Sequence, residues 1–273
     1  MPELPEVETV CRDLRSCGLI GKPITQATVL WDRTIQNSTT ETFCHSVQGK
    51  RIIDIRRRGK YIHILLSDSL HVFIHLRMTG SLSLVSSEMG IGQYDRVIIT
   101  FNESSLRFSD PRKFGRIMLC DSQTSIYDKL GPDPFDPLLT TDVWFERLHG
   151  RQMRIKPLLL DQSFLAGLGN IYADESLFSA SIHPCRPAHS LSRDESAVLL
   201  ESIRHILTTA IIHRGTSLGD GKGNFTSNGD RGENISNLRV YGKSTRPCPK
   251  CSTPIQRIVV GQRGTHYCPN CQK

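Results

Sequence analysis

Four cysteines near the carboxyl end constrain the fold of this chain more than any other feature. Cys248 and Cys251 are separated by two residues, Cys268 and Cys271 are separated by two residues, and sixteen residues lie between the pairs. This spacing predicts two knuckles that present four thiolates to one zinc ion. A site closed by four sulfur atoms is structural, because it has no open coordination position. Two coincidental pairs or two disulfides are the alternative, which a reducing cytoplasm disfavours.

The charge of the chain indicates an anionic partner. The 273 residues carry a formal net charge of +7, and nucleic acid and an acidic membrane surface are the usual partners of such proteins. Seven Lys or Arg and no Asp or Glu lie between residues 239 and 273. No apolar run approaches the ~18 residues of a membrane span, and Glu3, Glu6 and Glu8 stand where a signal peptide is basic. We therefore expect a soluble, cytoplasmic protein.

Hydrophobic periodicity predicts a strand-rich part followed by a helical part. A helix is predicted at 5–17, and the segments rich in Val, Ile and Phe at 51–55, 61–66, 72–76 and 97–101 predict strands of a sandwich or barrel. Gly and Pro residues between 130 and 137 break regular structure. Helices are predicted beyond them, near 141–149, 171–179 and 193–212. The apolar stripe of the last helix is Val198, Leu199, Ile203, Ile206, Leu207 and Ala210.

Residues 215–237 are rich in Gly, Asn, Ser and Asp and have little apolar content. This composition predicts a long mobile loop, and loops of such length are often functional.

Six short motifs then occur in a fixed order along the whole chain. They are PELPEVET at 2–9, RGKY at 58–61, HLRMTG at 75–80, DPRKFG at 110–115, GLGNIYADE at 167–175, and the cysteine knuckles ending in QK at 272–273. In this combination the chain resembles the formamidopyrimidine-DNA glycosylase family.

The resemblance implies an α+β multidomain fold. It consists of an N-terminal antiparallel β-sandwich with a leading helix (1–133), a helix-two-turn-helix DNA-binding domain with a lesion-capping loop at 215–237 (134–237), and a four-cysteine zinc-finger hairpin (238–273). The implied activity is that of a DNA glycosylase and AP lyase of base-excision repair. Such an enzyme removes oxidised purines, namely 8-oxoguanine and formamidopyrimidines, from damaged double-stranded DNA and then performs β,δ-elimination. A bacterial, nucleoid-associated monomer with no membrane contact is expected.

Catalysis is implied for four residues. Removal of Met1 frees the secondary amine of Pro2, which attacks the sugar and forms a Schiff base. An α-amine with a pKa of about 7.8 is neutral in roughly one molecule in seven at pH 7, so it is a ready nucleophile. By resemblance Glu3 transfers protons as the base leaves, Lys60 serves β-elimination and Arg263 serves δ-elimination.

Other interpretations of these residues remain open. Glu3 is otherwise a surface carboxylate, and Glu6 is either part of the site or an acidic first-turn residue favoured by the helix dipole. Arg263 stays protonated at physiological pH, so it is easier to accept as a phosphate clamp than as a proton donor, and a solvated turn residue is the alternative.

The resemblance also implies DNA-contacting residues. Met78, Arg112 and Phe114 match residues that fill the gap left by the displaced nucleotide, although Met and Phe taken singly are more often core residues. Asn170 resembles a phosphate-binding residue, with a helix cap as the alternative.

Three further DNA contacts match the family pattern less closely. Tyr94 stands where many relatives carry His, and Arg151 and Lys156 fall near a basic DNA-contacting position, with a solvated charge as the alternative for both. The run GDGKGN inside the 215–237 loop is unusual for the family, so the lesion preference is open.

Two rival functions remain. A sister enzyme for oxidised pyrimidines shares Pro2, Glu3 and the finger, but usually has Gly in place of Leu4. A zinc-dependent DNA-binding protein without catalysis needs the basic residues but neither Pro2 nor Glu3.

Overall fold

The computed structural model describes residues 1–218, 225–227 and 229–273. The chain divides into two compact units, the first comprising Met1–Asp128 and His213–Glu233, and the second comprising Lys129–Ile212 and Asn234–Lys273. The limits of the three domains expected from the sequence stay predictions.

The first unit contains two β-sheets. Its helices are α1 (Leu4–Ser16), α2 (Thr40–Val47) and α3 (Thr124–Tyr127), and its strands are β1 (Gln26–Val29), β2 (Ile35–Gln36), β3 (Ile52–Arg58), β4 (Tyr61–Leu66), β5 (His71–His75), β6 (Ser81–Ser86), β7 (Asp95–Thr100), β8 (Ser104–Ser109), β9 (Arg116–Cys120), β10 (Thr226–Ser227) and β11 (Asp230–Arg231). One sheet has the order β1-β7-β8-β6 and the other β2-β9-β5-β4-β3. Within these two sheets every pairing is antiparallel except that of the short β2 with β9. The expected sandwich is confirmed.

The core of the first unit fixes the position of α1. Ile64 of one sheet and Leu106 of the other belong to the same buried cluster, and α1 adds Val7, Val10 and Leu14 to it. Their spacing of three and four residues places these side chains on one face of the helix. Full burial of such a side chain contributes about 1.5–3 kcal/mol. The amino end of α1 is therefore held firmly by its packing.

The second unit combines helices with a carboxyl-terminal hairpin. Its helices are α4 (Thr141–His149), α5 (Ile155–Leu160), α6 (Asn170–Ser179) and α7 (Arg193–Ile212), and the hairpin consists of β12 (Gln256–Val260) and β13 (Arg263–Tyr267). The three helices expected from the sequence are confirmed. Val198, however, is 48% exposed, and Leu200 is buried instead. The expected apolar stripe was therefore wrong at one position. No helix in the described part of the chain, α7 included, has both the length and the apolar character needed to cross a membrane.

The described ends of the expected loop at 215–237 are hydrogen-bonded. The short strands β10 and β11 pair in antiparallel fashion. The Ser217 hydroxyl donates to the carbonyl of Phe225 and accepts the N–H of Gly232 at 2.9 Å. These bonds join the two ends of the loop. The whole of the unusual GDGKGN run, at 219–224, lies outside the described residues, as does residue 228.

Candidate active site and DNA-binding residues

The amino end of α1 brings Pro2, Glu3 and Glu6 together. Pro2 is buried, and Glu3 and Glu6 are 3% and 1% exposed. The N–H of Glu3 donates to Glu6 Oε2 at 2.7 Å, and the N–H of Val7 donates to the Glu3 carbonyl at 3.1 Å. These bonds fix the backbone directly after Pro2. Glu3 is therefore not the surface carboxylate that the sequence left as an alternative.

Glu6 links α1 to the segment that follows α7. Its second oxygen, Oε1, accepts the N–H of Thr216 at 2.8 Å. Gly215 has a φ of +80°, and a Cβ at this position would lie 2.7 Å from Glu6 Oε1. The Glu6 carboxylate thus binds one backbone amide on each segment, so it is more than an acidic first-turn residue.

A cavity of about 160 Å³ lies beside Pro2. Met78, Tyr94, Phe225 and Thr226 contribute to its lining. Tyr94 is 43% exposed, so its ring can contact a ligand at the mouth. Enzymes that act on a displaced base commonly hold it between aromatic and apolar side chains. The lining beside Pro2 offers such aromatic and apolar side chains together with several serine and threonine residues.

Arg112 contacts both Met78 and Phe114, and we call these three residues the insertion cluster. The Arg112 guanidinium lies 4.8 Å from the centroid of the Phe114 ring, and its Nη1 lies 3.3 Å from the sulfur of Met78. Met78 is 45% exposed and Phe114 is 46% exposed. Core packing, the alternative for Met78 and Phe114, is therefore wrong. The cluster instead forms an exposed surface of one apolar, one cationic and one aromatic side chain.

Lys60 and His75 lie at neighbouring ends of β4 and β5, where Tyr61 is paired with His75. Lys60 is 6% exposed and follows Gly59, whose φ of +57° makes the turn. Burial, together with the charges of Arg77 and Lys60, lowers the pKa of His75 to about 3. The Nδ1 atom of His75 accepts the N–H of Arg77 at 3.0 Å, so the neutral ring carries its hydrogen on Nε2. No role was predicted for His75 from the sequence, although it lies in a family motif.

The four cysteines of the second unit fit a zinc ion. Their sulfur atoms all lie within 4.8 Å of one another, with 3.9 Å between Cys248 and Cys271 and 3.5 Å between Cys251 and Cys268. Zn–S bonds of about 2.3 Å in a tetrahedron require sulfur atoms about 3.8 Å apart. The ion completes a closed, structural site and supplies no reactive position.

The hairpin turn that carries Arg263 is anchored to the helices. Arg263 is exposed at the start of β13. The carbonyl of the next residue, Gly264, accepts from Asn170 Nδ2 at 3.0 Å and from Lys156 Nζ at 3.1 Å. Gly169, rather than Asn170, occupies the cap position of α6. The helix-cap interpretation of Asn170 is therefore wrong.

Lys156 is a buried residue. Its side chain is 0% exposed, and Nζ also donates to Asp174 Oδ1 at 2.6 Å and to Thr265 Oγ1 at 2.7 Å. The interpretation of Lys156 as a solvated charge is wrong, and its predicted DNA contact competes with these three acceptors. Arg151, in contrast, is exposed just after α4, where a solvated charge and a phosphate contact are both compatible with its position.

Two carboxylates join distant parts of the chain in ways that the sequence did not indicate. Glu175 accepts the N–H groups of Arg239, Val240 and Tyr241 at 2.8–2.9 Å. Burial raises the pKa of Glu175 despite these bonds. In the first unit, the Asp13 carboxylate accepts hydrogen bonds from both terminal nitrogens of the Arg214 guanidinium, at 3.1 and 2.8 Å. The only cue in the sequence was the position of Glu175 in a motif.

Comparison with known proteins places this arrangement in one family. Residues 1–117 match the profile of the formamidopyrimidine-DNA glycosylase N-terminal domain, residues 130–220 that of the H2TH domain of the same family, and residues 246–273 that of the zinc finger found in FPG and IleRS. The formamidopyrimidine-DNA glycosylases of Protochlamydia amoebophila and Herpetosiphon aurantiacus are 42% and 43% identical to the chain, and each alignment covers 100% of both sequences.

Solved structures agree with the sequence matches. A mutant Lactococcus lactis FPG in complex with a Fapy-dG containing DNA is 35% identical, with a TM-score of 0.92 over 100% of both chains. The L. lactis Fpg in complex with an abasic site containing DNA gives a TM-score of 0.91 at 35% identity over 99% of both chains. The chain therefore belongs to the formamidopyrimidine-DNA glycosylase family.

Proposed function

We propose that this chain is a base-excision repair enzyme that removes oxidised purines from damaged double-stranded DNA and then cleaves the strand by β,δ-elimination. The observation that carries the proposal is the position of Pro2, directly before the fixed end of α1 and beside a cavity whose lining includes aromatic and apolar side chains. The L. lactis relatives were solved with Fapy-dG DNA and with abasic DNA. These two DNAs contain a substrate and an intermediate of the proposed reaction.

The first chemical step is an attack by the Pro2 nitrogen on the sugar carbon that bears the damaged base. The bond between this carbon and the base breaks, and the base leaves with its electron pair. Glu3 is next in the chain and transfers the protons that ring opening and base departure require. Because Pro2 is a secondary amine, the product is a cationic iminium, which acidifies the neighbouring sugar carbon.

Strand cleavage follows from this iminium. Lys60 serves the β-elimination and Arg263 the δ-elimination. Lys60 is held in a tight turn beside His75. Because the His75 ring is neutral, it adds no second positive charge that would repel the Lys60 ammonium. Arg263 acts as a phosphate clamp on an anchored turn, since its guanidinium stays protonated.

Duplex binding uses the remaining sites. The insertion cluster fills the gap that the displaced nucleotide leaves. Asn170, Tyr94 and Arg151 contact phosphates, and the net charge of +7 supports this binding. Lys156 acts through the turn that it anchors. We expect the enzyme to act as a cytoplasmic, nucleoid-associated monomer with one structural zinc ion.

The decisive test of the nucleophile is borohydride trapping on a duplex with 8-oxoguanine opposite cytosine. The protein with a free Pro2 is compared with a form that carries a protease-removable extension before Pro2. The extension makes the Pro2 nitrogen an amide, so no adduct is expected until the protease removes the extension. Pro2→Gly, which retains only a primary amine, is expected to trap more slowly.

The rival functions predict other outcomes. Trapping on a duplex with an oxidised pyrimidine, but not with 8-oxoguanine, would assign the chain to the pyrimidine-specific activity. Binding of both duplexes with neither trapping nor cutting would identify a non-catalytic DNA-binding protein and would overturn the proposal.

A further inference from the structure

Asp110 lies beneath the insertion cluster and is completely buried. Its Oδ2 atom accepts the N–H groups of Phe114 and Gly115, each at 2.7 Å. Its Oδ1 atom accepts the N–H of Arg112 at 3.1 Å. One carboxylate therefore binds the backbone of both insertion residues in the loop between β8 and β9.

The same carboxylate also binds the loop that carries the third insertion residue. The hydroxyl of Thr79, the residue after Met78, donates to Asp110 Oδ1. That loop is closed by a bond from the N–H of Gly80 to the Leu76 carbonyl at 3.0 Å. Through Thr79 and the three backbone amides, Asp110 fixes the two loops relative to each other.

We propose that Asp110 is the positioning residue that assembles Met78, Arg112 and Phe114 into one insertion cluster before DNA binds. The inference rests on the proposed function and adds a role for a residue that does not itself touch the base pairs. An ionised carboxylate can only accept hydrogen bonds, and here it accepts from four donors on two loops. An asparagine has one accepting oxygen and a donating NH₂ group, so it leaves two of these donors facing hydrogens.

The close packing around the loop supports an assembled state. A Cβ on Gly115 would lie 2.2 Å from the Phe108 ring, so the loop backbone rests directly on β8. Lys113 adopts a left-handed φ of 60°, and its ammonium lies 3.7 Å from the centroid of the Trp31 ring. Side chains that are ordered in advance lose less conformational entropy when they enter the duplex.

The test compares two substrates that differ in whether a gap must be filled. The first is single-turnover base removal from a duplex with 8-oxoguanine opposite cytosine. The second is borohydride trapping on a single-stranded oligonucleotide with an abasic site, which has no partner base and no base stack to replace. For Asp110→Asn we expect duplex excision to slow by at least about tenfold, or about 1.4 kcal/mol. Single-stranded trapping should stay within about twofold of the wild type.

Two controls separate positioning from loss of structure. Asp95→Asn removes the buried carboxylate at the start of β7, which accepts from Gly92, Arg107 and Ser109 but not from the insertion loops. Asp95→Asn should therefore change duplex excision and single-stranded trapping by the same factor. If Asp110→Asn does not fold, Thr79→Val removes one donor, and it should slow duplex excision selectively while Thr79→Ser does not.

Each result decides the matter. Equal losses on both substrates, or no loss on the duplex, would overturn the role of Asp110. A wild-type protein that acts on neither substrate would overturn the proposed function itself, so the two failures are distinguishable.

Discussion

A single buried ammonium, that of Lys156, holds together three parts of the second unit. It meets the Asp174 carboxylate of α6 and both Gly264 and Thr265 of the hairpin. Removing a lysine and an aspartate from water is costly, and only the mutual attraction and the additional hydrogen bonds offset that cost. Lys156 therefore matters through the position of the neighbouring Arg263.

Lys156→Met should destabilise the second unit by about 3–5 kcal/mol, because the Asp174 carboxylate then remains buried without its cation. Arg193→Met is the matched control, since it breaks an ion pair with Asp142 in which both side chains are more than half exposed. Its expected cost is under about 1 kcal/mol. Urea denaturation of both variants measures the difference. Equal costs would mean that the Lys156 network contributes little.

At the scale of elements, α1 is attached to the segment 213–233 at two points. Glu6 binds the Thr216 amide near the start of the helix, and Asp13 binds Arg214 near its end. Ser227, on the far side of the loop, donates to Asp13 Oδ2 at 2.5 Å. Both ends of the proposed lesion-capping loop are thus fastened to the helix that begins beside Pro2.

Gly215→Ala should disrupt this attachment. Its φ of +80° strains any L residue, and the new Cβ meets Glu6 Oε1 at 2.7 Å. Displacement of Glu6 releases the Glu3 amide, so we expect base removal to slow by about tenfold or more. Gly229→Ala is the control, since Gly229 has a φ of +89° with nothing within 4 Å of a Cβ. Single-turnover excision measures both variants. Similar rates for both would show that backbone strain, and not Glu6, determines the effect.

The sequence predicted elements well and long-range partners poorly. Helix α7 has the predicted bounds because its apolar spacing and flanking residues are local signals. The burial of Lys156 had no such signal, because its partners Gly264 and Thr265 lie more than one hundred residues away. His75 and Asp110 stood in recognised motifs, but a motif does not say which donor meets which acceptor.

At the scale of the whole molecule, the two units have separate cores. The cluster around the zinc site is small, comprising Phe178, Val240 and Ile255 with Cys248 and Cys268. So small a core does not stabilise a hairpin alone, and metal binding supplies folding free energy in such sites. The finger should therefore depend on zinc, whereas the sandwich should not.

Zinc chelation should abolish amide protection in residues 238–273 while the strands of the first unit keep theirs. Hydrogen exchange read by mass spectrometry measures both regions in one sample. Cys268→Ser should have the same effect as chelation, and Cys185→Ser, which alters a thiol outside the site, should have none. Loss of protection in the first-unit strands at the same rate would contradict the independence of the two cores.

Helix α6 determines the position of the zinc finger. Asn170 at its start binds Gly264, Asp174 in its middle binds the His266 amide, and Glu175 binds the three amides of 239–241. Three side chains of one helix thus bind the finger at its base and near its tip. The position of the finger therefore depends on its contacts with α6. A chimera that imports a relative's finger without its α6 would inherit the metal site but lose the alignment of Arg263, so the two segments are expected to be exchanged, in evolution or in the laboratory, only as a pair.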